Sequence, residues 1–217
     1  MLNAYLTQVQ RLLHDLTYQY WSQSELGDYI NEARNRVAQD TKCLRQLATN
    51  AALGLTLTAQ VESYTPQTFL PAPLGSQLVA VMGITIYWGT ERIKLRYLPF
   101  TRFDAMTRSY QSYYQRPVFF SRMGANIIWI GPNPDQNYPC DWDIAVIPNA
   151  LVTDATVEQI PVPFQEPVQY YAAYKAKWKE QAQGEAQLFL QQYNATLTRC
   201  ARGFMQFIQP DPYRIGR

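Results

Sequence analysis

The stretch that decides the fold is Trp21-Ser-Gln-Ser-Glu-Leu-Gly-Asp-Tyr-Ile-Asn-Glu-Ala-Arg-Asn-Arg-Val-Ala-Gln-Asp-Thr41. Ser22 followed three residues later by Glu25 has the form of a capping box, in which each side chain satisfies a backbone N–H left free at a helix entry. The spacing predicts a helix beginning near Gln23. Leu26, Tyr29, Ile30, Ala33 and Val37 recur at steps of three and four and so share one face, with Asp28, Glu32, Asn35 and Gln39 opposite. Such a helix packs one side on a core.

Composition sets the frame around it. The chain has 217 residues, 47% hydrophobic and 17% charged, enough to bury a real core in one large domain or two small ones. It carries no basic and apolar signal segment at its start and no run near the roughly 18 apolar residues of a membrane span. A soluble, intracellularly made protein without membrane contact is expected. Cys43, Cys140 and Cys200 are odd in number and form no C-x-x-C pair, which favours reduced thiols over a zinc site or a disulfide framework. The net charge of +2 is too small for a general nucleic-acid-binding surface. Sixteen tyrosines and five tryptophans suit extensive protein interfaces, although a Tyr-rich core has the same composition.

Upstream, Leu2, Tyr5, Leu6, Val9, Leu12, Leu13 and Leu16 keep helical spacing, predicting a helix from about Asn3 to Leu16. From about Leu53 to Pro148 the texture changes to short Val-, Ile-, Thr- and aromatic-rich runs broken by Pro and Gly, the mark of β structure. Ile84–Trp88 and Arg92–Tyr97 read as a hairpin around Gly89 and Thr90, and Val118–Arg122 with Asn126–Ile130 as a second around Met123, Gly124 and Ala125. Asp141–Ile147 reads as a further strand. Arg102–Tyr113 reads as a short helix with Phe103, Met106 and Tyr110 on one face. After Pro161, Pro163 and Pro167 helical periodicity returns, with Tyr171, Tyr174, Trp178 and Ala182 on one stripe. Ala186, Phe189, Tyr193, Leu197, Cys200 and Phe204 form a second, and Gly184 between them can end a helix in the left-handed conformation.

The predicted fold is α+β, with N- and C-terminal helices packed as a bundle, an inserted antiparallel β domain and an extended C-terminal arm. The divisions are residues 1–50 (helical hairpin), 51–160 (β-rich insertion), 161–203 (C-terminal helices) and 204–217 (arm). Pro210 and Pro212 stop the last helix, and the fifteen residues from Gly203 to Arg217 reach about 50 Å when extended. Phe204, Met205, Phe207, Ile208, Tyr213 and Ile215 are too apolar for a solvated tail, so the arm docks, on its own subunit or on another. Arg214 and Arg217 are offset by Asp211 and the terminal carboxylate, which favours a protein groove over DNA.

No residue set for catalysis, cofactor binding or metal ligation emerges. His14 is the only histidine and lies in a Leu-rich helix beside Asp15, which suits a capping or solvated role. Asn133, Asp135 and Asn137 imitate the start of a calcium loop, but Tyr138 and Ile144 occupy the positions that need Gly and Glu. Asp141 and Asp143 share a strand face and read as a solvated edge. Asn194-Ala195-Thr196 matches a glycosylation acceptor inside a predicted helix and carries no weight. Lys175, Lys177 and Lys179 spread around a helix as a solvated flank. No phosphate loop, nucleophile elbow or metalloprotease helix occurs. The chain is not expected to be an enzyme.

The phrases Trp21-Ser22, Glu25-Leu26, Tyr29-Ile30-Asn31-Glu32-Ala33 and Ala38-Gln39-Asp40-Thr41 resemble the adaptor, or head-to-tail connector, proteins of short-tailed and related bacteriophages. Arg116-Pro117, Ile130-Gly131-Pro132-Asn133-Pro134-Asp135, Ile160-Pro161, Tyr170-Tyr171-Ala172-Ala173-Tyr174 and Gly184-Glu185-Ala186 follow in the family's order. The resemblance implies a virion protein made in the host cytoplasm. It would form a homo-oligomeric ring, usually dodecameric, in the neck between head and tail. The ring would sit below the portal, carry a nozzle or tail-tube protein, and pass double-stranded DNA through its lumen without sequence-specific binding. It further implies that Trp21, Leu26, Tyr29, Ile30, Ala33, Tyr171, Tyr174 and Trp178 belong to ring-body helices. By the same resemblance Phe204, Met205, Phe207, Ile208, Tyr213, Arg214, Ile215 and Arg217 form a portal-binding arm. The alternative reading is a nucleic-acid-binding protein that stacks bases on Tyr and Trp between scattered Lys and Arg.

Overall fold

The computed structural model describes residues 1–108, 113–124 and 127–205, with side chains as far as residue 202. In chain order its elements are α1 (Leu2–Leu13), α2 (Gln23–Thr41), β1 (Arg45–Ala48), α3 (Asn50–Leu53), β2 (Thr56–Leu57), β3 (Ser63–Tyr64), α4 (Pro66–Phe69) and α5 (Leu74–Gln77). Then follow β4 (Leu78–Trp88), β5 (Glu91–Lys94), β6 (Arg96–Tyr97), α6 (Phe100–Thr107), β7 (Phe119–Met123), β8 (Ile127–Gly131) and β9 (Tyr138–Val146). A 3₁₀ turn at Val162–Phe164 leads into α7 (Glu166–Lys179) and α8 (Gln183–Met205). These elements fall into two compact units: a helical unit from Met1–Leu44 with the chain from Pro148 on, and a β unit of Arg45–Ile147. The chain is α+β, its terminal helices flanking a central β region.

The helical unit packs α7 against α8, α2 and α1. Leu26, Ile30, Ala33 and Val37 of α2 are fully buried with Leu6 and Val9 of α1, as the α2 periodicity predicts. Each large apolar side chain so placed contributes about 1.5–3 kcal/mol. Ser22 caps α2, its Oγ accepting the Glu25 N–H at 3.2 Å. The reciprocal half of the box does not form. The Glu25 carboxylate instead accepts the Tyr29 hydroxyl at 2.7 Å and pairs with Lys179, and the Lys179 bond, then that of Tyr29, lowers its pKa.

The other helix ends differ from the spacing's prediction. α1 stops at Leu13 instead of Leu16, because His14 turns left-handed (φ 56°) and the buried Asp15 winds the following backbone around its carboxylate. His14 is thus a cap, exposed to solvent. α7 ends through Gln181 (φ 63°), with the Ala182 N–H returning to the Lys177 carbonyl at 3.1 Å, so Gly184 lies within α8 instead of between the helices. The buried stripe of α7 is Val168, Ala172, Ala173 and Ala176, not Tyr171, Tyr174 and Trp178. Alanines on the inward face let neighbouring helices approach closely, and the large rings are left at the flank. On α8, Ala186 and Tyr193 are buried and Phe189, Leu197 and Cys200 pack against the core.

One sheet of the β unit runs β1-β9-β4-β5 with β2 also on β9; the other runs β3-β8-β7-β6. All pairs are antiparallel except the two-residue β6–β7 pair. The hairpin expected from Ile84–Trp88 and Arg92–Tyr97 forms only as far as Lys94, turning at Gly89 with φ 61°. At the buried Leu95 the chain changes sheets: the Leu95 N–H still bonds the Ile84 carbonyl, while the Arg96 N–H bonds that of Val118. The second hairpin is β7–β8, and the strand expected at Asp141–Ile147 is β9, extended forward to Tyr138. α6 realises the short helix two residues early; its Phe103 is buried, and Tyr110 lies outside the described residues. Trp142, Ile84, Ile86 and Ile144 are buried, with Phe69 stacked on Trp142 at 4.8 Å between ring centroids.

Asp141 is not at a solvated edge. It is 2% exposed and accepts the Asn50 N–H (2.8 Å), the Tyr87 hydroxyl (2.5 Å) and an Arg92 guanidinium N–H (3.0 Å). Asp143 is partly exposed and pairs with Arg45.

Candidate interaction surfaces

Of the residues assigned to ring-body helices, Trp21, Leu26, Ile30 and Ala33 are buried within their own subunit, and Tyr29, Tyr171 and Tyr174 are half-buried. Trp178 is 53% exposed, the outer member of a ladder in which Tyr174 lies 6.0 Å away and Tyr171 5.5 Å beyond that. Trp21 is covered by Lys177, whose Nζ lies 5.6 Å from the ring centre. Of the arm residues, Phe207, Ile208, Tyr213, Arg214, Ile215 and Arg217 lie outside the described residues; Phe204 and Met205 close α8, and their side chains lie outside as well.

The structure adds an exposed surface, the turn between α1 and α2, which takes in Leu16, the last residue of the first helix's expected apolar spacing. Leu16 and Tyr20 are 67% and 78% exposed there. This turn is held from inside. Asp15 accepts the N–H groups of Gln19 (2.8 Å), Tyr20 (3.0 Å) and Trp21 (3.3 Å), and Tyr18 adopts φ 56°, a conformation costly for a side chain with a Cβ. Burial acts to raise the Asp15 pKa, but the amides of Tyr20, Gln19, Trp21 and Thr17 outweigh it and hold the carboxyl below the ordinary range. The sign follows from that depression: the ionised loop clamp stabilises the fold above the ordinary aspartate pKa and is lost as pH falls through the depressed folded value. Asp15→Ala should therefore weaken the protein near neutrality and leave it less sensitive to that acid interval. Parallel thermal melts of both proteins across pH 2–6 check this, and an unchanged acid limb would count against it.

In the β unit, an open cleft of about 400 Å³ is lined by Trp88, Tyr114, Gln115, Arg116 and Tyr138. The Arg116 guanidinium stacks over Trp88 at 4.5 Å. Tyr138 donates to Asp135 at 2.6 Å, and burial followed by that bond pushes its pKa up to about 12. Among the described residues no group of His, Cys, Asp and Glu is placed to hold a metal, and no helix is long and apolar enough to cross a membrane. The three cysteines are free thiols, with Cys140 buried and its pKa pushed up to about 12 by burial. What the described surfaces offer is exposed aromatic area at Tyr20, Trp88, Tyr114 and Trp178, suited to protein contacts.

A family model described as SU10 adaptor protein matches residues 4–208. The chain belongs to the SU10 adaptor family. Comparison with curated proteins finds no match. The family match spans both units, from the first turn of α1 past the end of α8, so helical and β units together make the adaptor. The adaptor is a structural head-to-tail connector protein of bacteriophage virions. Its ordered phrases, from Trp21-Ser22 to Gly184-Glu185-Ala186, all fall within the matched span.

Proposed function

We propose that copies of this adaptor form a ring, dodecameric as is usual in such proteins, below the portal in the virion neck, after synthesis in the host cytoplasm. The helical unit supplies the ring body, the β unit faces a nozzle or tail-tube protein, and double-stranded DNA passes through the lumen without sequence-specific contacts. The observation that carries this reading is the family match across residues 4–208. Two surface features support it. Rigidly held aromatic groups such as Tyr20 and Trp178 stand exposed, as interface anchors do. The lysines of α7 are matched by carboxylates, Lys175 by Glu32, Lys177 by Glu180 and Glu185, and Lys179 by Glu25, which leaves no basic stripe there for DNA.

Attachment to the portal is assigned to residues 204–217, on the apolar, proline-bounded composition of that segment. Deleting them should leave a folded subunit that no longer joins DNA-filled heads, read by co-sedimentation of adaptor with heads. Undiminished attachment would sink the assignment. Salt-sensitive DNA binding by the isolated full-length subunit would favour the nucleic-acid-binding alternative instead.

A further inference from the structure

We propose that the helical unit binds a second copy of this chain through its two opposite ends, the α1–α2 turn of one copy seating Tyr20 in a groove between α1 and the start of α7 of the next. The proposed contact rests on the ring reading for the existence of neighbouring copies, and supplies the surfaces through which they meet. The helices place these surfaces apart. Glu25 at the start of α2 pairs with Lys179 at the end of α7, and Trp21 lies under Lys177, so the α1–α2 turn sits beside the α7–α8 turn. At the other end Glu166 at the start of α7 pairs with Arg199 of α8 at 2.6 Å, and Asp40 near the end of α2 accepts the Tyr193 hydroxyl at 2.9 Å.

The groove lies at this second end. It holds about 210 Å³ and is lined by residues including Met1, Ala4 and Gln8 of α1 and Gln165, Glu166 and Gln169 beside them. Met1, Ala4, Gln8 and Glu166 are exposed, so it opens to solvent. It is smaller than a small-molecule site, which takes roughly 300 Å³ or more, and suits one anchoring side chain. A tyrosine fits its mixed walls: the Met1 and Ala4 side chains meet the ring, and the amides of Gln8 and Gln169 stand ready for the hydroxyl. The opposite end presents that tyrosine. Tyr20 and Leu16 project from a turn whose backbone Asp15 already holds through three amides, so little ordering remains to be lost on docking.

Charge identifies the occupant as another copy. Around the α1–α2 turn the carboxylates of Asp15, Glu25, Asp28, Glu180 and Glu185 outnumber the cations Arg11, Lys177 and Lys179. Asp28 is exposed there and makes no ion pair among the described residues. At the groove end Arg36, Lys42, Arg199 and Arg202 outnumber Asp40 and Glu166, and the remaining charges there cancel as the pairs Arg34–Glu158 and Asp154 with the N-terminal ammonium. Lys42 and Arg202 are exposed and make no ion pair among the described residues. Two ends of opposite sign repel their own kind and attract each other, which disfavours a two-fold dimer through either end. A contact between two different patches is the kind that closes into a ring, whereas a self-complementary patch stops at a dimer.

The test is disulfide trapping in the full-length chain. Tyr20→Cys and Gln8→Cys, both at exposed positions outside the core, are made singly and together, and oxidised with copper phenanthroline in concentrated solution and after joining DNA-filled heads. The unsubstituted chain, with its three free thiols, sets the background. The double variant is expected to give a covalent ladder of dimers, trimers and longer species. An equal mixture of the two single variants should stop at dimers, with peptide mapping placing the bond between the two introduced thiols. Leu16→Ala, at an exposed residue, should lower the yield about tenfold, the scale of losing one well-seated anchor. No cross-link above background in either setting, a dimer joined through the turn of both copies, or an unchanged yield with Leu16→Ala would each overturn the proposal. Copies that join heads without this cross-link sink the contact and leave the ring reading standing; copies that form the ladder yet never join heads keep the contact and sink the portal reading.

Discussion

Arg34→Ala is expected to destabilise the helical unit by about 3–5 kcal/mol, the scale of breaking a buried ion pair. Arg34 is 0% exposed in the middle of α2, where its guanidinium uses every face. Its Nε and NH2 groups bind both oxygens of the buried Glu158 at 2.7–3.2 Å, and NH1 donates to the Asn31 side chain (3.1 Å) and the Asn149 carbonyl (2.8 Å). Glu158 in turn accepts the Ile160 N–H, and Asn31 exchanges two bonds with the Leu151 backbone. The segment that leads from the β unit back to α7 is thereby pinned to α2. Removing the guanidinium strands the buried Glu158 carboxylate.

Arg34→Met combined with Glu158→Leu should lose markedly less than Arg34→Ala, since no charge is left unpaired. Arg34→Lys should lose nearly as much, because an ammonium cannot reproduce the planar fork. Urea unfolding of each variant reads these differences. A loss under about 1 kcal/mol for Arg34→Ala, the range of an exposed pair such as Arg36–Asp40, would show that the network does not hold the segment.

Asp141→Ala is expected to cost the β unit about 1–3 kcal/mol, because Asp141 is itself buried and its loss leaves the half-buried Asn50 N–H and Tyr87 hydroxyl without their acceptor. The Arg92 partner is half-exposed and can return to solvent, so the charge pair itself adds little. Asp143→Ala, two residues along the same strand, should cost about 1 kcal/mol or less, since both Asp143 and Arg45 reach water. Chemical denaturation of the two variants side by side checks the contrast. Equal effects would mean that burial does not separate the two aspartates.

Those two aspartates show where sequence reasoning ends. A spacing of two places both on a strand, and β9 is that strand; nothing local says that β9 lies between β1 and β4 at the centre of its sheet. The same holds for Arg34. A charged residue in an amphipathic helix reads as solvent-facing, and its true partner, Glu158, is 124 residues away. On α7 the rings of Tyr171, Tyr174 and Trp178 share one face as their spacing predicts, but which face is buried was decided by packing, which favoured the alanines between them. The exposed turn at Leu16–Tyr20 was hidden from periodicity, which counts Leu16 as the last apolar residue of the first helix, because its form depends on Asp15 capturing amides of the turn.

By itself the sequence determined what short-range physics controls. The Ser22 cap, the α2 face of Leu26, Ile30, Ala33 and Val37, the Gly89 turn, the helical ends around a β centre and the order of family phrases all depend on neighbours a few residues apart. Tertiary structure alone decided which polar groups are buried, where Leu95 carries the chain from one sheet to the other, and which aromatic rings remain outside. Burial is a property of the assembled core, fixed by contacts between residues distant in the chain, and no local pattern encodes it.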